Sequence, residues 1–393
     1  MAFPKAHTET MTSRERVNTA LNHEEPDRVP IDLGGFQTGI HKKAYHSLID
    51  FLGLHETIRD LDPVQGLAIP SEAVLQKFHA DIRYVTAHGP DGFQGGIEIN
   101  ERGGKRWHDL RDEFGIVWSM PEDQMLYMDI SHHPLANATL KDIENYPFPN
   151  GGDPTRFTGV RETIQNLHRD TPFAISSGIC GVTYEICWYM RGLERWFMDM
   201  LENPTFCEAL IDRTSQYWVD WMEGFLGQTG DLLDIIMIGD DLSGQNGPLF
   251  SPKLYRNIVR PRQQRVIDMI KKHTHAKIWY HTCGDCTQYI PDLIDMGIDI
   301  LNPVQISARG MDPKTLKEKF GKNLVFWGGG IDSQHVLPFA SPEKIREDVR
   351  RNLEIFKPGG GYVFNNVHNI QTGVPPENII AMYEAAYDFG FYR

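Results

Sequence analysis

Residues 276–284 read AKIWYHTCG, an apolar run that ends abruptly in a histidine, a thiol and a glycine. The run from Ile278 to Tyr280 has the β-branched and aromatic character of a buried strand. Side chains alternate between the two faces of a strand, so His281 and Cys283 project in the same direction. Imidazole and thiolate are both good zinc ligands, and a catalytic zinc ion usually has three protein ligands and one open position. This stretch therefore predicts a strand that delivers two metal ligands, with a packed histidine beside a small buried thiol as the alternative.

The same strand belongs to a regular rhythm in the second half of the chain. Short β-rich runs alternate there with helical segments, which is the βα signature of a parallel sheet. Two earlier runs bring the number of predicted strands to eight, and no Gly-x-Gly-x-x-Gly turn follows the first of them. We therefore predict an α/β fold of the TIM-like (β/α)8-barrel type, with a doubly wound sheet as the alternative. The predicted strands are residues 29–33, 82–85, 172–176, 233–238, 276–281, 298–301, 324–327 and 362–365.

We expect a single barrel domain over residues 1–393 with two additions to the basic fold. An N-terminal helical extension covers residues 1–28, and an insertion covers residues 95–160. Near residues 95–120 polar and apolar residues alternate on either side of a glycine pair, which predicts an inserted antiparallel hairpin.

Composition excludes several classes of protein. The chain carries a formal net charge of -14 at pH 7. Because nucleic acids and anionic membranes attract clustered basic surface, we expect neither as a partner. No apolar run approaches the ~20 residues that span a bilayer, and the N-terminus lacks the apolar core of a signal peptide, so we expect a cytoplasmic protein. The five cysteines are too sparse for a disulfide framework, which leaves thiol or metal chemistry open.

Polar side chains follow several of the predicted strands, at the point where each strand ends. The active sites of TIM barrels lie at the carboxyl ends of the strands, so these side chains are expected to converge on one mouth with the two metal ligands. Capping of the following helices accounts for some of them, and the aspartates are equally compatible with a structural role. The residues concerned are Asp240, Asp241, Asn302, Gln305 and His368.

The sequence resembles the uroporphyrinogen decarboxylase superfamily over nearly its whole length, from about Arg14 to Phe389. The PDRVP run at residues 26–30 and the HTCG run at 281–284 are similar to the zinc-dependent corrinoid methyltransferase branch of that superfamily. The resemblance implies a TIM barrel that moves methyl groups between a small substrate and the cobalt of a separate corrinoid protein. It also implies a zinc ion held by a His-x-Cys pair and by a third ligand near the C-terminus.

The third ligand of that branch is commonly a cysteine in a segment that precedes a Pro-x-Glu-Asn pattern. The corresponding segment of this chain, residues 365–370, contains no cysteine, and His368 is its strongest donor. The resemblance therefore implies zinc on His281, Cys283 and His368, with an imidazole in place of the usual thiolate. A metal site that is altered or absent is the alternative. Corrinoid-binding domains commonly carry an Asp-x-His-x-x-Gly pattern, which this sequence lacks, so the corrinoid is expected on a partner protein.

The other polar residues of the predicted mouth have candidate roles in the same chemistry. A zinc ion stabilises negative charge on oxygen or sulfur, so the substrate would be a small, for example methoxylated, methyl donor or a thiol acceptor. Asp240 or Asp241 would orient a ligand imidazole or handle a proton. Asn302 and Gln305 are candidate cofactor-contacting residues. The direction of transfer stays open.

The decarboxylase side of the superfamily gives an alternative function. Asp81 resembles the substrate-binding aspartate of true uroporphyrinogen decarboxylases, and Tyr189 and His368 fall where their active-site tyrosine and histidine would be. These residues would serve a metal-free decarboxylase of a small carboxylic acid. A tetrapyrrole with many carboxylates is disfavoured, because residues 34–54 contain none of the arginines that would bind them.

A third alternative is a non-catalytic barrel that binds a corrinoid or tetrapyrrole and presents it to another enzyme.

Barrel enzymes of the predicted fold are often homodimers, and the aromatic helix expected after Gly178 is a candidate contact surface.

Overall fold

The computed structural model describes residues 8–93, 95–124, 126–179, 181 and 183–392. Seven parallel strands of this described part form one sheet in which neighbours follow the chain order. Ile31 bridges the two edges of the sheet, because it pairs in parallel with Ala80 on one side and with Phe364 on the other. We count Ile31 as the first barrel strand. The second to eighth are Ile82–Tyr84, Ala174–Gly178, Ile235–Gly239, Lys277–His281, Ile300–Asn302, Val325–Trp327 and Tyr362–Val363.

Hydrogen bonds on both sides of the first strand close the barrel, which confirms the TIM-like prediction over the doubly wound alternative. The backbone N–H of Asp32 donates to the Phe364 carbonyl at 3.0 Å, and that of Asp81 donates to the Ile31 carbonyl at 2.8 Å. The first strand is shorter than predicted, since it is reduced to these bridges. Pro30 explains the difference, because a proline has no N–H to continue the ladder.

Helices surround the barrel, and many begin as their sequences predict. The helix Pro342–Phe356, for example, has Pro342 in its first turn and the hydroxyl of Ser341 as an acceptor for the Lys344 N–H. No described helix is long and apolar enough to cross a membrane. The α-helices are Ser13–Leu21, Lys42–Phe51, Glu72–Lys77, Leu140–Asn145, Val160–Asp170, Glu185–Arg191, Leu193–Glu202, Pro204–Thr229, Pro252–Leu254, Arg260–His273, Ile290–Met296, Pro313–Phe320, Pro342–Phe356 and Pro376–Gly390, with a 3-10 turn at Pro154–Phe157 and a π-helical turn at Tyr255–Val259.

The N-terminal helix, Ser13–Leu21, plugs the amino-terminal end of the barrel. Residues of this helix hydrogen-bond through their backbone to Pro172 and Gly361, which precede the third and eighth strands. Val17 and Leu21 pack among the inward-facing residues of the barrel strands. This helix therefore covers the interior at the amino-terminal end of the strands.

Asp81 lies at the closed end, which corrects its assignment as a substrate-binding residue. Its carboxylate is fully buried. It accepts hydrogen bonds from Nη1 of Arg16 and Nη1 of Arg28, both at 2.7 Å, and from the Ile31 N–H at 2.9 Å. Asp81 precedes the second strand rather than following it, so it lies at the opposite end from the mouth. It is a structural counter-charge for two buried guanidinium groups.

The insertion is a four-stranded antiparallel sheet among the described residues, and it is larger than the predicted hairpin. Its turn at Gly103 and Gly104 has φ values of +58° and +76°, as a tight two-residue hairpin requires. The last strand pairs with residues 117–119 and extends the sheet beyond the predicted hairpin. The strands are Ile97–Arg102, Lys105–Arg111, Val117–Pro121 and Asp129–His132.

Two smaller sheets lie near the mouth and were not predicted. One is a three-stranded sheet of Ile40–His41, Arg59–Asp62 and Leu67–Ile69. The other is the hairpin of Ser243–Gly244 and Gly247–Pro248, which directly follows the fourth barrel strand.

Replacing Asp81 by alanine is expected to lower the free energy of unfolding by about 3–5 kcal/mol, because two buried guanidinium groups lose their shared carboxylate. Urea denaturation followed by circular dichroism measures the change. Glu98→Ala, which removes an exposed carboxylate from the inserted sheet, is the control and should stay within about 0.5 kcal/mol of the wild type. A variant of Asp81 with normal stability but lost activity would contradict the structural role.

Candidate metal centre at the barrel mouth

Three side chains that can ligate a metal meet at the carboxyl end of the barrel. His281 ends the fifth strand, Cys283 follows it by two residues, and His368 lies in the loop after the eighth strand. Their candidate ligand atoms all lie within 4.8 Å of one another. Sγ of Cys283 is 3.5 Å from Nε2 of His281. In the described part of the chain, no other set of three His, Cys, Asp or Glu side chains is gathered in this way.

Asn302 fixes the tautomer of His281. Its Nδ2 donates to the backbone carbonyl of Trp327 at 3.0 Å, which orients Oδ1 toward Nδ1 of His281 at 2.6 Å. Because an amide oxygen can only accept, Nδ1 must carry the proton, and the lone pair of Nε2 points to the Cys283 side. Burial lowers the pKa of His281 to about 4, so the ring stays neutral at physiological pH. Asn302 thus positions a candidate metal ligand and is not placed to contact a cofactor directly.

His368 belongs to the same cluster, but its ring has the opposite tautomer to that of His281. Its ring lies 5.3 Å from that of His281, at an angle of 71° between the ring planes. Nδ1 of His368 accepts a hydrogen bond from the Asn369 N–H at 2.8 Å, which leaves the proton on Nε2. To bind a metal through Nε2, the ring must move this proton to Nδ1. Nδ1 can then no longer accept the hydrogen bond from the Asn369 N–H. Burial lowers the pKa of His368 to about 3, which again favours the neutral ring.

The backbone of His368 is strained, with a φ of +116°. A non-glycine residue with positive φ is uncommon, and such residues cluster at functional sites. The loop after the eighth strand therefore holds this imidazole over the mouth at an energetic cost.

A tight turn holds Cys283. Its N–H donates to Oδ1 of Asp241 at 2.7 Å, and the N–H of Gly284 donates to Oε1 of Gln305 at 2.7 Å. Gly284 has a φ of +83°, and a Cβ there would lie 2.6 Å from the carbonyl oxygen of Ser243. Only glycine fits this turn. Gln305, predicted to contact a cofactor, fixes the thiol loop through Oε1.

The two adjacent aspartates have different surroundings. Asp240 is fully buried and accepts hydrogen bonds from the backbone N–H groups of residues 183–185 and from Nε2 of Gln263 at 2.9 Å. It anchors the start of the helix Glu185–Arg191 and does not face the mouth, which corrects its predicted catalytic role. Asp241 does face the mouth, with Oδ1 3.9 Å from Nε2 of His281. Desolvation raises the pKa of Asp241.

A cavity of about 500 Å³ opens on one side of the cluster, and we call it the aromatic lobe. His281, His368 and Asp241 line its floor. Tyr189 lies in its wall, with its hydroxyl donating to Oε1 of Glu185 at 3.3 Å. No lysine or arginine lines this lobe in the described part of the chain. Its aromatic residues are Phe36, Trp118, Tyr127, Trp188 and Tyr189, and its acids are Asp62, Glu185 and Asp241.

A second cavity, of about 340 Å³, opens beside Cys283 and His368, and we call it the amide lobe. No Asp, Glu, Lys or Arg lines it among the described residues. His368 borders both lobes, so the cluster separates an aromatic and acidic cavity from an uncharged one. The amide side chains of the second lobe are Gln245, Gln305, Gln334, Asn369 and Gln371.

Sequence reasoning missed Glu185. The residue is 7% exposed and lines the aromatic lobe. Burial, with added repulsion from Asp241 and Asp240, raises its pKa well above the usual range. A lone carboxylate inside an apolar run after the third strand was the available signal.

Cys286 lies outside the cluster although it forms a Cys-x-x-Cys pair with Cys283. It is fully buried, with Sγ 3.9 Å from the sulfur of Met311. Burial raises the pKa of its thiol to about 12, so it stays protonated.

Replacing Asn302 by leucine is expected to weaken zinc binding by about 10- to 100-fold, because His281 loses the acceptor that orients it. Asn302→Asp is the matched control, since its carboxylate can still accept from Nδ1 of His281 and should retain most of the affinity. Competition with a chromogenic chelator measures both constants, and circular dichroism checks the fold. Equal loss in the two variants would argue against the orienting role.

Comparisons with known proteins bear on the family of this chain. The sequence pattern of the family described as uroporphyrinogen decarboxylase (URO-D) matches residues 112–389. The uroporphyrinogen decarboxylase of Ruthia magnifica subsp. Calyptogena magnifica is 26% identical over 262 residues, which cover 64% of this chain and 70% of that protein. The one from Alkalilimnicola ehrlichii is 25% identical over 266 residues, which cover 65% and 67%.

A solved structure agrees with the fold. A methyltransferase from Methanosarcina mazei superposes with a TM-score of 0.65 at 19% sequence identity, covering 97% of this chain and 99% of that one. The barrel is thus shared over its whole length. Because the family pattern spans most of the chain, the chain belongs to the uroporphyrinogen decarboxylase family.

Proposed function

We propose that this chain is a zinc-dependent methyltransferase that moves a methyl group between a small substrate and the cobalt of a separate corrinoid protein. The observation that carries the proposal is the cluster of His281, Cys283 and His368 at the barrel mouth. Two imidazoles and a thiolate beside an open cavity suit a catalytic zinc site, in which three protein ligands leave one position open. When bound, zinc would supply Lewis-acid stabilisation of the negative charge that develops on oxygen or sulfur.

The surrounding residues have roles that fit this chemistry. Asn302 keeps His281 in the tautomer that a metal ligand needs. Asp241 accepts from the Cys283 N–H and faces the cavity, so it can orient a substrate hydroxyl. In a demethylation the ether oxygen keeps the bonding electron pair when the methyl carbon leaves, and it takes up one proton. Glu185 and Tyr189 are hydrogen-bonded in the same cavity and can supply that proton.

The aromatic lobe supports a small, uncharged, methylated or methoxylated substrate. Its wall includes Trp118 and Tyr189, whose rings contact each other at 5.2 Å between centroids, and such surfaces bind flat apolar groups. Its acids and its lack of described lysine or arginine disfavour a substrate with several carboxylates.

The decarboxylase alternative draws on the named relatives but finds less support in the geometry. It needs Asp81, Tyr189 and His368 to act on one substrate. Asp81 is buried with two arginines at the closed end of the barrel, whereas the other two line the mouth. A decarboxylase that used Tyr189 and His368 alone would release carbon dioxide in the presence of a chelator.

Cys283→Ala is expected to remove zinc and to lower methyl transfer by more than about 100-fold, because losing a ligand costs more than losing a partner of a ligand. Cys286→Ala is the matched control and should keep both, since its thiol lies outside the cluster. Elemental analysis of protein purified without chelators, and the absorbance of the corrinoid protein during turnover, measure the two properties. Wild-type protein without zinc, together with an active Cys283→Ala variant, would contradict the proposal.

A further inference from the structure

We propose that the amide lobe receives one edge of the partner's corrin ring and recognises it through the carboxamide groups on the ring's rim. This inference rests on the proposed function, because it assigns one of the two cavities beside the metal cluster to the corrinoid partner. The other cavity, the aromatic lobe, is then left for the small substrate.

The chemistry of the lining carries the assignment. The lobe presents primary amides and hydroxyls and, among the described residues, no charged Asp, Glu, Lys or Arg side chain. Such a surface suits a ligand that offers both hydrogen-bond donors and acceptors and carries no charge. The rim of a corrin ring bears primary carboxamides at positions where other tetrapyrroles, uroporphyrinogen among them, bear carboxylates. A buried carboxylate without a cationic partner is costly, so this lobe selects the amidated ring.

Several polar atoms in the lobe still have hydrogen-bonding capacity. The Ser243 side chain lines the lobe, the residue is 5% exposed, and its Oγ has no hydrogen-bond partner in the structure. Buried hydroxyls of this kind are normally satisfied, so a ligand amide is a fitting partner. Oε1 of Gln305 is already used by the Gly284 N–H, which leaves its Nε2 as a donor.

Two further glutamines at the edge of the lobe have fixed orientations. Oε1 of Gln334 accepts from the hydroxyl of Ser307 at 3.1 Å, so its Nε2 remains a donor. Nε2 of Gln371 donates to the carbonyl of Asn369 at 3.3 Å, so its Oε1 remains an acceptor. The lobe therefore offers donors and an acceptor together, which is the complement of a carboxamide.

The size and position of the lobe determine how much of the ring it takes. At about 340 Å³ it accommodates a few acetamide-sized groups but not a whole macrocycle, so the rest of the ring stays on its carrier protein. Cys283 and His368 form the boundary of the lobe, and His368 also borders the aromatic lobe. A ring edge in the amide lobe and a substrate in the aromatic lobe would then approach the cluster from different sides.

Equilibrium dialysis of the zinc-loaded full chain tests the inference with two probes that share one ring. Methylcobinamide carries carboxamides on the rim, and the methyl derivative of cobyrinic acid carries carboxylates at the same positions. We expect the amidated ring to bind at least about tenfold more tightly, which corresponds to about 1.4 kcal/mol. Equal binding, tighter binding of the carboxylated ring, or no detectable binding of either ring would overturn the inference.

A positive charge introduced into the amide lobe provides a second test of the same inference. Gln334→Lys should shift the preference toward the carboxylated ring by about tenfold or more, because Gln334 lines the lobe and an ammonium group attracts carboxylates. Gln76→Lys is the matched control, since Gln76 is exposed on the helix Glu72–Lys77 and its side chain hydrogen-bonds to Glu72 of the same helix. An unchanged preference in Gln334→Lys, or the same shift in the control, would overturn the inference.

Methyl transfer measured in parallel separates this inference from the proposed function. Discrimination between the two rings without methyl transfer in either direction would support the lobe assignment and leave a barrel that only binds corrinoids. Methyl transfer without discrimination would overturn the lobe assignment and leave the proposed function intact.

Discussion

The hydrogen bond between Oδ1 of Asn302 and Nδ1 of His281 is the interaction on which the candidate site depends. It exists because the fifth and sixth barrel strands pair in a register that places His281 opposite Asn302. On the other side, Gly239 of the fourth strand lies opposite His281, and a Cβ there would come within 2.7 Å of the histidine Cβ. The imidazole thus lies between Gly239, which leaves room for it, and the amide of Asn302, which keeps the proton of the ring on Nδ1.

Charge is distributed unevenly around this imidazole. The aromatic lobe gathers Asp62, Glu185 and Asp241 with no described lysine or arginine, whereas no Asp, Glu, Lys or Arg lines the amide lobe among the described residues. Arg16 and Arg28, the most deeply buried of the described arginines, both donate hydrogen bonds to Asp81 at the closed end. The described lining of the mouth therefore offers no lysine or arginine that could bind the carboxylates of a substrate.

Much of the barrel could be predicted from the sequence, because its strands are short β-rich apolar runs that alternate with helical segments. The pair of His281 and Cys283 followed from side-chain alternation alone. Asp81 and Asp240 could not be assigned in this way, since a carboxylate that binds arginines or caps a helix looks in sequence like one that binds a substrate. The aromatic lobe could not be predicted either. Its residue Trp118 lies in the inserted sheet, which is distant in sequence from the barrel strands that carry His281 and precede Asp241.

X-ray absorption at the zinc edge tests most directly the proposal that His281, Cys283 and His368 form one zinc site. The zinc-loaded protein should show one sulfur at about 2.3 Å and two imidazole nitrogens at about 2.0–2.1 Å. His368→Ala should remove one imidazole and leave the sulfur in place. Two sulfurs in the wild type, or an unchanged imidazole count in His368→Ala, would contradict the account.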